Sequence, residues 1–63
     1  MKTYDIFRRD SGGPVWLEAR LSAENARLRV QDLAAQNPGE CFFVFDAQTS
    51  SVVFEIDSRD GEI

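Results

Sequence analysis

The sequence predicts an α+β domain of ββαββ order: two antiparallel hairpins forming a four-stranded antiparallel sheet, with one helix packed on one face. Three observations predict it. The turn clusters Asp10-Ser11-Gly12-Gly13-Pro14 and Ala47-Gln48-Thr49-Ser50 each divide a pair of short segments rich in aromatic and β-branched residues. Between the pairs, the segment from Ser22 to Gln36 carries helical apolar spacing and signals at both ends. The whole chain is 63 residues, which is room for one small domain.

The first strand is expected from Thr3 to Arg9, with Tyr4, Ile6 and Arg8 on one face and Asp5, Phe7 and Arg9 on the other. Glycines that tolerate positive φ and a proline then turn the chain. The second strand, from Val15 to about Arg20, alternates Val15, Leu17 and Ala19 against Trp16 and Glu18. Ser22 is a good N-cap, and Glu24 places a carboxylate at the positive end of the helix dipole. Leu21 and Ala26 suit a hydrophobic staple around that cap. The helix is expected over Ala23–Gln36, with Ala23, Ala26, Val30, Leu33 and Ala34 as its apolar stripe. Asn37-Pro38-Gly39 stops it: the residue before proline avoids helical angles and the glycine provides the exit. The third strand covers Glu40 to Asp46, and the fourth runs from Ser51 to Ile56 or Asp57. Ser50, last in the loop between them, is placed for a left-handed conformation. The domain thus occupies residues 1–57, and residues 58–63 form a polar tail expected to fray.

The third strand is the most informative stretch. Cys41-Phe42-Phe43-Val44-Phe45 is apolar at consecutive positions, so it carries apolar groups on both sheet faces. One helix covers one face. With Asp46 opposite Ser51, regular pairing sets Phe45 against Val52, Phe43 against Phe54 and Cys41 against Ile56. It also sets Val44 against Val53 and Phe42 against Glu55. The first hairpin leaves two registers. One places Phe7 opposite Trp16 and Asp5 opposite Glu18, a like-charge clash; a two-residue shift places Asp5 opposite Arg20 and Arg9 opposite Trp16.

This pairing assigns Tyr4, Ile6, Val15, Leu17, Ala19, Cys41, Phe43, Phe45, Val52, Phe54 and Ile56 to the helix-covered face. The opposite face receives Phe7, Trp16, Phe42, Val44 and Val53, ringed by Asp5, Arg9, Glu18, Asp46 and Glu55. An apolar centre within a charged rim is the anatomy of an interface, and Trp and Phe are strong anchors.

Composition narrows the function classes. A domain this small is marginal alone and usually gains support from disulfides, a metal or oligomerisation. Cys41 is the single cysteine, so no internal bridge forms, and with no histidine the chain offers no zinc set. Oligomerisation remains. Eleven acidic against seven basic residues give a net charge of −4, which argues against nucleic acid and against anionic membranes. No apolar stretch approaches a membrane span. The N-terminus lacks a signal-peptide core and there is no disulfide framework, so a cytoplasmic location is expected.

Catalysis has no evident machinery. Lys2 is the only lysine, no base serves Ser11, and Gly12-Gly13 reads as a hairpin turn, not a phosphate cradle. Cys41 reads as an inert core thiol. No catalytic residue, metal ligand or cofactor site is expected.

The stretch Gly12-Gly13-Pro14-Val15-Trp16-Leu17-Glu18, the capped helix, and Pro38-Gly39-Glu40-Cys41-Phe42-Phe43-Val44-Phe45-Asp46 together resemble small bacterial single-domain proteins of unknown function. The resemblance implies a stand-alone two-hairpin domain and brings no activity. The expectation is a non-enzymatic oligomerising or protein-interaction module. Its partner would be a second copy or another protein, met by the sheet face opposite the helix. The alternative is nucleic-acid or small-ligand binding on the same aromatic face, where Phe7, Trp16 and Phe42 would stack bases.

Overall fold

The computed structural model describes residues 2–57, and the polar tail expected over 58–63 lies outside the described residues. The elements are β1 (Tyr4–Asp10), β2 (Gly13–Arg20), α1 (Ala23–Gln36), β3 (Cys41–Asp46) and β4 (Ser51–Asp57). They form the expected ββαββ domain. All pairings are antiparallel, in one four-stranded sheet of order β2-β1-β3-β4. The sequence left this order open. The strand with apolar groups on both faces, β3, takes a central place beside β1, where neighbours cover both its edges.

The helix has the expected limits, and its caps explain them. Ser22 is extended, and its Oγ accepts a hydrogen bond from the Asn25 amide at 3.1 Å. At the far end the Asn37 amide donates to the Leu33 carbonyl at 2.9 Å, and Gly39 leaves at φ 89°. Leu21 stays largely exposed, so the expected staple does not close over the cap.

Two bulges set the faces. In the β3–β4 hairpin, Asp46 opposes Ser51 and Phe45 opposes Val52, as regular pairing requires. One extra residue, Val53, then enters β4, so Val44 opposes Phe54 and Phe42 opposes Ile56. In the β1–β2 hairpin, Phe7 opposes Trp16, but beyond it Ile6 opposes Glu18 and Asp5 opposes Ala19. The extra residue there is Leu17. This bulge removes the Asp5–Glu18 clash that the unbulged register entails. It turns Glu18 to the helix side, where Arg29 Nε meets its carboxylate at 2.8 Å.

The core follows from this parity. Beneath α1 lie Ile6, Phe42 and Val44 with Ala26 and Val30 of the helix, flanked by Tyr4, Leu17, Leu33, Phe54 and Ile56. Each fully buried Phe, Ile or Val side chain contributes about 1.5–3 kcal/mol, so these few residues hold most of the stability. The face assignment read from regular pairing is therefore reversed in β3. Phe42 (2 % exposed) and Val44 (1 % exposed) are core under the helix, whereas Cys41, Phe43 and Phe45 belong to the opposite face. Glu18 and Ala19 change sides for the same reason.

Candidate functional site

The sheet face away from α1 is built mainly from odd-numbered residues of β1 and β3. Antiparallel pairing aligns them in three rows across the strands. Pro14, Arg9, Cys41 and Asp57 form the first, Trp16, Phe7, Phe43 and Glu55 the second, and Ala19, Asp5, Phe45 and Val52 the third.

The middle of this face is aromatic. Phe7 and Phe43 stack with ring centroids 5.1 Å apart and 8° between planes. Phe45 meets Phe7 edge-on, at 6.2 Å and 87°. Both arrangements suit the ring quadrupoles. The Arg9 guanidinium lies over the Phe43 ring, 4.4 Å from its centroid. A shallow groove of about 320 Å³ opens among Phe7, Arg9, Pro14, Phe43, Phe45 and Val52. Trp16 stands at its side, 56 % exposed, with only its indole Nε1 tied down by donation to Asp5 Oδ1 at 3.2 Å.

Charge at one end is organised around Glu55. Its Oε2 accepts from Arg9 Nε at 2.8 Å and from the Cys41 thiol at 3.2 Å. The Arg9 guanidinium, and after it the Cys41 thiol, hold the Glu55 carboxyl below the ordinary range. The thiol is buried and donates to an anion.

Of the five residues singled out as an interface, the structure keeps Phe7 and Trp16 on the open face. Phe42 and Val44 are withdrawn into the core, and Val53 stands at the β4 bulge, 47 % exposed. Phe43, Phe45 and Val52 take their place. The Asp5–Glu18 clash signalled in the sequence that regular pairing of the first hairpin carries a penalty, but nothing comparable marked the β3–β4 bulge behind this exchange.

Two further polar sites serve the fold. Asp46 is buried at the end of β3, bonded to Lys2 Nζ at 2.9 Å and to the Gln48 amide at 3.0 Å. Lys2 first, then the Gln48 and Thr49 amides, lower its pKa against the effect of burial. Glu18 likewise lies below the ordinary range through Arg29 and then Arg20. Among the described residues no helix is long and apolar enough to cross a membrane. No protein-family model, curated protein or solved structure matches the chain.

Proposed function

We propose that the protein is a non-enzymatic self-association module that uses the open face of its sheet. The single observation carrying this reading is the apolar surface on the face away from α1, where half-buried Phe7 and Phe45 and exposed Trp16 and Val52 surround Phe43, itself buried beneath Arg9. Such contiguous apolar surface favours burial against a partner. Symmetric dimers are the commonest way a small chain achieves it.

Scale supports a modest affinity. Strands about 4.8 Å apart, each with three open-face positions about 6.6 Å apart, present a face on the order of 20 Å by 20 Å. Two such faces bury about 800 Å² in total, below the standard interface size and in the range of weak, transient contacts. Dissociation in the micromolar range is expected.

Electrostatics weigh against nucleic acid on the same face. Its one central cation, Arg9, which engages Glu55 through Nε, is outnumbered by Asp5, Glu55 and Asp57. A phosphate backbone requires the opposite balance.

Sedimentation equilibrium across 1–200 μM (on the order of the range expected from interface area) tests the reading. Association of the wild-type protein, abolished in a folded Trp16→Glu variant, supports it. A folded wild-type monomer throughout the range, unchanged by Trp16→Glu, overturns it.

A further inference from the structure

We infer that, given the self-association proposed above, the second copy is placed by a two-fold axis that crosses β1 at Phe7 and brings Arg9 of each copy onto Asp5 of the other. The open face offers two ways to stack on itself, since the axis of a face-to-face dimer lies in the plane between the sheets. When the strands of the two sheets stay aligned, it runs along the strands or across them.

An axis along the strands, between β1 and β3, sets each strand row against its own row from the other copy. Asp5 then lies over Phe45 of the second copy and Arg9 over its Cys41, because these are row partners in the sheet. A carboxylate is thereby buried against a ring with no cation to meet it, which is costly.

An axis across the strands at Phe7 reverses the rows. Phe7 and the exposed Trp16 each meet their own copies, so aromatic groups cover aromatic groups, while Phe43 stays beneath Arg9 of its own chain. Asp5 and Arg9 are each two residues from Phe7 on β1, about 6.6 Å along the strand in opposite directions. The reversal superimposes them with opposite sign, twice per dimer. Aligned sheets cross at about 30°, which displaces the pair sideways by about 3 Å, within the reach of an arginine.

Two carboxylates remain: Asp57, exposed at the end of outer strand β4, falls opposite Val52 of the other copy at the rim, and Glu55 lies nearer the centre. Glu55 lies in the middle row, opposite its own copy, but its carboxylate is drawn toward Arg9 and Cys41 in the first row. Its copy is drawn the other way, so the two carboxylates lean apart. The sequence Asp5-Ile6-Phe7-Arg8-Arg9 thus carries on its open side an anion, a ring and a cation, a pattern complementary to its own reverse.

A charge-swap experiment tests the placement. Asp5→Arg and Arg9→Asp each set like charges against each other in their own homodimers, and each should weaken association about tenfold or more. An equimolar mixture of the two matches every charge, and should associate as a heterodimer near wild-type strength by sedimentation or native mass spectrometry.

Restored association only in the mixture supports the axis across β1. If wild type associates and Trp16→Glu does not, yet the mixture gains nothing over the single variants, the axis is wrong while self-association stands. If wild type is monomeric, the association itself fails, and this placement with it. Should either variant not fold by circular dichroism, filtered NOE spectra on a mixed isotope-labelled wild-type dimer decide. Contacts between the Phe7 rings of the two copies support the placement, and their absence overturns it.

Discussion

Replacing Val44 by alanine removes two methyl groups from the core, and replacing Val53 by alanine removes the same two from β4. Regular pairing makes these valines neighbours on one face and predicts similar costs. The bulge predicts a large difference. Val44 is 1 % exposed between the central strands and α1, while Val53 is 47 % exposed. Two buried methylene equivalents are worth about 1.6 kcal/mol at 0.8 kcal/mol each. A cavity that closes only partly raises the loss to about 2–3 kcal/mol. For Val53→Ala the loss stays below about 1 kcal/mol, the full span of strand propensity. A 63-residue domain has roughly 3–9 kcal/mol in all. Val44→Ala should therefore lower Tm by about 10–20 °C, at roughly 4–8 °C per kcal/mol. Urea unfolding followed by far-ultraviolet circular dichroism measures both variants. Two protein concentrations separate folding from any contribution of association. Equal losses, or a greater loss in Val53→Ala, would refute the bulged register and the face assignment built on it.

Acid should unfold the protein through its paired carboxylates. Asp46, Glu18 and Glu55 have folded pKa values depressed by Lys2, Arg29 and Arg9 respectively. Their contribution is complete above the unfolded carboxylate range of about 4 and is lost as pH falls through the lower folded values. The urea midpoint should hold from pH 7 to about 5 and fall below about 4; a midpoint that rises on acidification contradicts the pairing. Ser50 sits at φ 56°, where a side chain is strained. Ser50→Gly should raise stability by about 0.5 kcal/mol, the relief of strain exceeding the added freedom of the unfolded chain, and a drop in Tm would count against that balance.

Much of the fold was legible because particular residues act locally. Ser22 and Asn37-Pro38-Gly39 bound the helix through their own backbone preferences, and the Ser50 conformation follows from loop length. Trp16 and Phe7 could be placed together because the first hairpin keeps regular pairing up to them. The faces of β3 were not legible. Cys41 to Phe45 is apolar at every position, so nothing in the strand distinguishes its two sides. The decision lies in two bulges, and Trp16-Leu17 and Val52-Val53 are apolar pairs that suit a regular strand as well as an interrupted one. Long-range packing settles it. With Val53 looped out, Phe54 and Ile56 join Ile6, Phe42 and Val44 beneath a single helix.

The two bulges also fall on β2 and β4, the outer strands of the sheet. An outer strand exposes a row of unpaired amides and carbonyls on which further strands can grow without limit. Here each row is broken near its middle, and Pro14 withholds an amide near the start of β2. An added strand finds a register interrupted on either side. A chain this rich in phenylalanine is thereby steered away from ribbons that lengthen strand by strand.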